Sequence, residues 1–516
     1  MDALPLKTRL IERLWDVVDR NEHLLSATLT GSFVDSPTLR GLSDIDFVVV
    51  VDHLNRERYS ALLREFDDAV RPELARDGYD LYINSTLGPL KFNSPKLAVL
   101  HLMLYSHEAH VSHVVNSPFT CLDWQRSQTF RKRSLAEVYP VFGLQPRHFR
   151  DGRRSVSDYL RDYRERTVSY RELACDDQGY REIKRSKPMN DRDRHEFAYH
   201  VLRFLMRNLL KLTRRELPAD DASLVEAYTE VFCDGPRSTA DFFRRLSQKK
   251  KNLDFASSMA ELDHELTAFV EAFNGQFQQH FGDDAVKHVV FRHAPTAANV
   301  GPRRFQGRSD LPLVSANFNC ESLAEALRET QPAVCFSSPL KRCRQTIAAV
   351  RPAGSLPAET LCDDLLEMSY GTCEGLTVEA AKQVAPGLFE AWSCGEDPRF
   401  PSGENTADVT ARVRRFVNDK LLASQTPTAT CTHNVVLRTM IGDALGVPSA
   451  QQHRLEIPHA TPITFLGTKF GLFVELTPEV ERHIFQNFSQ ANFAHANSDS
   501  DGRPGTTVPR RRVLAA

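Results

Sequence analysis

At 516 residues the chain exceeds what one ordinary hydrophobic core organises, so about two to four domains are expected. Its residues are 41% hydrophobic and 26% charged, as in a globular fold, and a formal net charge of −2 argues against bulk binding to nucleic acid or an anionic membrane. No apolar run of about 18 residues exists to cross a bilayer. The amino end lacks a signal-type apolar core, and ten scattered Cys without CxxC or Cys/His metal spacing suit reduced thiols in a cytoplasm.

Leu6, Leu10, Leu14, Val17 and Val18 recur at helical spacing. A short strand, Ser26 to Thr30, then ends in Gly31-Ser32. After a polar loop, Asp44-Ile45-Asp46-Phe47-Val48-Val49-Val50-Val51 reads as a Val-rich strand with acids at i and i+2. Such side chains share a face. Carboxylates so close repel each other, and a divalent cation relieves the repulsion. A turn cap plus an edge acid is the plainer alternative. A helical segment near 56–70 leads to Tyr79-Asp80-Leu81-Tyr82-Ile83, a strand with one more acid between apolar residues.

In this order, Gly31-Ser32, Asp44-x-Asp46 and Asp80 resemble the nucleotidyltransferase superfamily that includes DNA polymerase β, the aminoglycoside nucleotidyltransferases and the minimal nucleotidyltransferases. The motif is short, and the match covers roughly 25–85. The resemblance implies an α/β nucleotidyltransferase core. Gly31 and Ser32 would approach the nucleotide phosphates, and Asp44 and Asp46 would ligate Mg²⁺. Asp80 would be a further ligand or the base that activates an acceptor hydroxyl. Mg²⁺ is held by few carboxylates plus substrate phosphates, and paired metals stabilise both oxygens of an in-line displacement. NTP and a small-molecule acceptor are the implied substrates.

His101, His107, His110 and His113 form a loose cluster without zinc spacing and read as structural or surface residues. Residues 150–283 look helical throughout, with good periodicity over Glu196 to Leu212 and Leu262 to Phe281. That stretch resembles the helical bundle that often follows such a core. The expected layout is a nucleotidyltransferase domain at 1–150, a helical domain at 151–283, a second α/β domain at 284–490 and a disordered tail at 491–516.

From about 285 strands and helices alternate, as a mostly parallel sheet demands. A short strand ends in Arg292-His293, a second runs into Ser338-Pro339-Leu340-Lys341-Arg342, and a third into Thr432-His433. Strand carboxyl ends are where open α/β sheets place their chemistry. With Asn299, Arg304, Glu367 to Leu376 and Pro401 to Asn405, these five motifs resemble the histidine phosphatase (phosphoglycerate mutase-like) superfamily. The resemblance implies a three-layer α/β/α domain. By residue type, His293 would take the phosphoryl group, and Arg292 and Arg342 would hold its oxygens. His433 would add a donor, and Glu367 would protonate the leaving oxygen and then activate water. Glu374 is the rival acid; Asn299 and Arg304 are candidate substrate contacts. No metal or other cofactor is expected there. Ala294 and Asn434 stand where that family usually has Gly.

The expectation is therefore a bifunctional enzyme. A Mg²⁺-dependent nucleotidyltransferase would be joined to a phosphate-monoester phosphatase acting in the same pathway. The alternative is a protein-modifying nucleotidyltransferase regulator with a phosphatase or phospho-ligand-sensing domain.

Overall fold

The amphipathic stripe of helix α1 (Leu6–Arg20) seals Leu10, Leu14, Val17 and Val18 against a five-stranded mixed sheet. In the computed structural model, residues 5–35, 44–84, 96–150, 161–176, 179–218, 220–232, 237–252, 259–300, 302, 304–394 and 396–488 are described. The tail expected to be disordered lies outside them. The first sheet has the order β3-β4-β2-β1-β5. Its strands are β1 (Leu24–Thr30), β2 (Ile45–Val51), β3 (Asp80–Asn84), β4 (Leu97–Ser106) and β5 (Phe130–Lys132). Ile45, Phe47, Val49 and Val51 join the core under α1 and α2 (Arg56–Arg76), whereas Val48 and Val50 belong to the core on the other face.

The expectation of an all-helical 151–283 needs correcting. An antiparallel ribbon, β6 (Thr167–Asp176) and β7 (Gly179–Pro188), precedes the helices and forms a sheet of its own. β-Branched and aromatic residues spaced among the charges favour strand locally, and the basic run 181–187 lies on β7. Helices follow at Asp191–Leu212, Asp221–Val231, Arg237–Asn252 and Met259–Gln278. Asn190 caps the first of them, its side chain accepting from the Asp193 N–H. No helix among the described residues is long and apolar enough to cross a membrane.

The second sheet is six-stranded, in the order β10-β9-β11-β8-β12-β13. It comprises β8 (Val286–Arg292), β9 (Val334–Ser337), β10 (Glu359–Leu361), β11 (Thr428–Thr432), β12 (Ile463–Thr468) and β13 (Gly471–Glu475). Strands β10, β9, β11 and β8 run parallel, and β12 and β13 are antiparallel. Glu321–Thr330 and Lys341–Gly354 cover one face, packing Leu323, Leu327 and Ile347 on Val289 and Phe291. Thr406–Phe416 and Asn434–Leu445 lie over the other face, giving three layers. That second core does not stop at the sheet. It continues through Ile441, Leu445, Phe485 and Phe488 to Val114, Tyr105 and Val50 of the amino-terminal sheet.

Candidate active site

In a parallel sheet, neighbouring strands deliver their carboxyl ends to one edge. Thr432 pairs with Arg292, and Cys431 pairs with both Phe291 and Ser337, so the residues that follow emerge side by side. The His293 and His433 rings stand 5.2 Å apart, centroid to centroid. His293 Nδ1 lies 2.8 Å from the Ala294 carbonyl. A carbonyl only accepts, so Nδ1 carries the proton and Nε2 keeps its lone pair. His433 has the opposite tautomer. Its Nδ1 accepts from Arg342 Nε (3.1 Å), so its Nε2–H donates to Ser338 Oγ (2.8 Å).

Burial first, and then Arg292 and Arg342, push the His293 pKa well below its ordinary value. Burial, followed by Arg342 and His293 itself, does the same to His433. Both rings are therefore neutral near pH 7. Arg292 Nη1 donates to the Ile457 carbonyl (2.8 Å); burial lowers its pKa to about 10, while the charge of Glu367 opposes that shift. Arg342 is fully buried. Of the five N–H groups of a guanidinium, three are engaged: Nε with His433, Nη1 with Ser309 O (2.7 Å) and Nη2 with Gly307 O (2.8 Å). Arg342 thus organises the site as well as charging it.

The two candidate acids differ in their surroundings. Glu367 is 4% exposed, and its charge acts on both Arg292 and Arg342. Its Oε1 accepts from Met368 N (2.9 Å) and Val435 N (3.2 Å), and Oε2, among the described residues, from Val435 N (3.3 Å). Glu374 accepts backbone N–H groups from Gly307, Arg308, Ser309 and Tyr370 at 2.8–3.2 Å. It is a loop clasp. A Cβ on Gly307 would fall 2.1 Å from Glu374 Oε1, so this approach requires glycine.

The other expected residues divide. Asn299 Oδ1 accepts from the Thr296 N–H and hydroxyl, capping a turn beside the site. Arg304 is exposed, donates to Gly375 O (2.9 Å) and bridges to Thr377 through its backbone; no contact among the described residues joins it to either histidine. Ala294 and Asn434 have ordinary negative φ, so neither position requires glycine for its backbone. Sequence reasoning missed His459. Its Nδ1 lies 2.7 Å from the His293 carbonyl and its ring 5.4 Å from the His293 ring. A lone His between Pro458 and Pro462, outside any helix or strand pattern, carries no local signal of this.

In the amino-terminal sheet, Asp44 and Asp46 flank the sealed Ile45 and share a face. Gly31, at φ +74°, lies so close to Asp46 that a Cβ would fall 2.4 Å from its Oδ2. Ser32 opens the short helix Ser32–Asp35. Asp80 does not join them. The register sets Asn84 and Asp46 opposite His101 but Asp80 opposite Leu97. That places Asp80 four residues back, about 13 Å along the strands, exposed and acting on Arg71. His101, which the sequence reads as a structural or surface residue, is the neighbour instead, with Nε2 3.7 Å from Asp44 Oδ2. No group of three or more His, Cys, Asp or Glu among the described residues is placed to hold a metal ion. Mg²⁺ commonly needs only one or two carboxylates beside substrate phosphates, so the pair fits that ion.

Residues 289–475 match the family model of the histidine phosphatase superfamily (branch 1). "Bifunctional protein Rv2228c" of Mycobacterium tuberculosis is 29% identical over 177 residues, 34% of this chain and 48% of that protein. The match thus spans about half the length of that curated relative. A glucosyl-3-phosphoglycerate phosphatase of the same species is 34% identical over 140 residues, 27% of this chain and 60% of that one. Among solved structures, "Mycobacterial hydrolase 2" aligns at 27% identity and TM-score 0.33, covering 37% of this chain and 89% of that one. The carboxyl-terminal α/β part of the chain carries a domain of the histidine phosphatase superfamily.

Proposed function

We propose that the carboxyl-terminal domain hydrolyses phosphate monoesters through a phosphohistidine. One observation carries this reading: His293 is held with Nδ1–H on a carbonyl and Nε2 unprotonated, beside the His433 ring and two guanidinium groups. His293 Nε2 attacks phosphorus, and the P–O ester bond breaks as Glu367 gives a proton to the leaving oxygen. Water then attacks the phosphohistidine, its proton returns to Glu367, and phosphate leaves. Arg292 and Arg342 stabilise the anionic oxygens throughout, and His433 orients Arg342 by accepting from its Nε. The domain should turn over p-nitrophenyl phosphate, and acid-quenched enzyme should retain labelled phosphate on His293. Either signal surviving in His293→Ala would overturn the assignment.

The Asp44/Asp46 pair against Gly31 motivates a second proposal: transfer of a nucleoside monophosphate from NTP to a small-molecule acceptor. Asp44 and Asp46 would hold Mg²⁺, which supplies charge neutralisation at the triphosphate. Asp80 has no part in it. Incubation with labelled NTP, Mg²⁺ and candidate acceptors should label a small molecule in wild type but not in Asp46→Asn. Label on protein would favour the regulator, and no labelling of either kind would remove the activity.

A further inference from the structure

The segment after the helix Asn434–Leu445 returns to the site at 457–460, where three hydrogen bonds tie it to Arg292 and His293. Arg292 Nη1 donates to Ile457 O (2.8 Å), Ala460 N to Arg292 O (3.0 Å), and His459 Nδ1 to His293 O (2.7 Å). Ala460 closes the turn at φ +48°, a conformation that costs a non-glycine residue free energy and persists where its surroundings impose it. His459 is therefore fixed by both backbone and side chain. Its Nδ1 faces a carbonyl, so the proton sits on Nδ1 and Nε2 is an acceptor. His459 is only partly buried, and its Nε2 has no hydrogen-bond partner among the described residues.

Apart from the nucleophile and Glu367, which serves the leaving oxygen, the charged groups around the phosphoryl position are the two guanidinium groups. Arg292 and Arg342 are cations, and the one N–H of His433 is engaged by Ser338 Oγ. The His459 ring stands 5.4 Å from that of His293, so an oxyanion bound at His293 would meet donors from the guanidinium groups and, on the His459 side, a lone pair. One proton between His459 Nε2 and the nearest phosphoryl oxygen resolves that mismatch. We propose that His459 is a third imidazole of the phosphoryl site, binding the ester by sharing one proton with a phosphoryl oxygen while its Nδ1–H positions His293. The proton comes from solvent on binding and returns to it when phosphate leaves.

The charged and titratable groups facing His459 are Arg292 and His293 from the end of β8 and Glu456 from its own segment. Burial, with Arg292 assisting, lowers the His459 pKa to about 4, so the ring is neutral in the unliganded protein. A bound dianion opposes that shift. This inference rests on the phosphatase reading, and its test separates the two.

The probe is tungstate, a phosphate-shaped dianion that does not titrate near neutrality, measured by calorimetry on the full chain in buffers of different ionisation enthalpy. His459→Asn retains an N–H for the His293 carbonyl but removes Nε2, and His459→Ala removes both. Near pH 6, wild type should take up about one proton more per tungstate bound than His459→Asn. The Asn variant should also show a KM for p-nitrophenyl phosphate raised about tenfold, the weight of one hydrogen bond to a charged group. Its acid-side pH profile of kcat/KM should change. The Ala variant should lose kcat in addition, as the nucleophile's backbone is released. Equal proton uptake and an unchanged pH profile in His459→Asn would overturn the inference while leaving the phosphatase intact. Tungstate binding without hydrolysis in wild type would remove the catalytic reading, and the proton count would still decide the role of His459. Wild type that neither binds tungstate nor hydrolyses the ester would remove both.

Discussion

His293 and His433 hold opposite tautomers because their neighbours differ: a carbonyl meets one Nδ1 and a guanidinium N–H meets the other. Arg342 couples that choice to the loop, since its Nη1 and Nη2 donate to Ser309 and Gly307 carbonyls. Arg342→Lys keeps the charge but loses the planar fork. It should lower kcat/KM for p-nitrophenyl phosphate by about a hundredfold or more, and also lower the melting temperature, since buried carbonyls lose their donors. A variant with wild-type kcat/KM would show that charge alone suffices. His110 offers a different test. It is fully buried, both ring nitrogens lack partners among the described residues, and burial lowers its pKa to about 3. The folded pKa lies below the ordinary 6.5, so the neutral ring's contribution is complete above that pH and is lost as pH falls towards 3. Melting wild type and His110→Phe at pH 7.5 and pH 5 should show the smaller acid-induced drop in the variant.

At the scale of elements, the site depends on loops that only close approach can hold. Gly371 has φ +50°, and a Cβ there would fall 1.9 Å from Pro401 O. Gly403 in turn packs on Ser369 O, and Glu404 accepts from Ser369 N (2.8 Å) and Arg412 Nε (3.1 Å). Burial raises the Glu404 pKa, yet Arg412 and the Ser369 N–H outweigh it and hold the carboxyl below its ordinary range. These contacts join the loop that carries Glu367 to the loop before Thr406–Phe416. Gly371→Ala should destabilise by roughly 1–3 kcal/mol in urea unfolding, from backbone strain and overpacking. It should also reduce phosphatase turnover, because Glu367 moves with the loop. Full stability in that variant would show that the two loops can separate without loss.

Across the whole molecule, the two sheets share one apolar core rather than meeting at a wet interface. Phe142 stacks on Phe485 (5.5 Å between centroids), and a Cβ on Gly143 would fall 2.7 Å from Leu445 O. Buried polar contacts reinforce the junction: Gln145 Nε2 donates to Glu481 (2.7 Å), Gln145 Oε1 accepts from Leu476 N (2.7 Å), and Arg147 pairs with Glu481. Domains joined this way should unfold together. Calorimetry should show one cooperative transition, and Phe142→Ala, at a half-buried position, should shift all of it downward by a cost of roughly 1–3 kcal/mol. Two transitions, only one of them moved by the substitution, would show that the halves are independent.

Local pattern alone determined much of this protein. Period-3.6 stripes placed α1 and the helix at Asp191–Leu212, and apolar runs ending in Arg292-His293 and Thr432-His433 marked β8 and β11. Short motifs also located His293, His433, Arg342 and Glu367, because a strand's end fixes where its next residue emerges. Strand register, by contrast, is set by pairing partners far away in sequence. That is why Asp80, well placed by its own strand, lies four residues from the level of Asp46, with Asn84 and His101 there instead. The same holds for His459, which reaches His293 across 166 residues through a turn with no periodicity, and for the core shared between sheets. Burial, tautomer and partner all arise from contacts between distant segments, and only the folded chain brings those segments together.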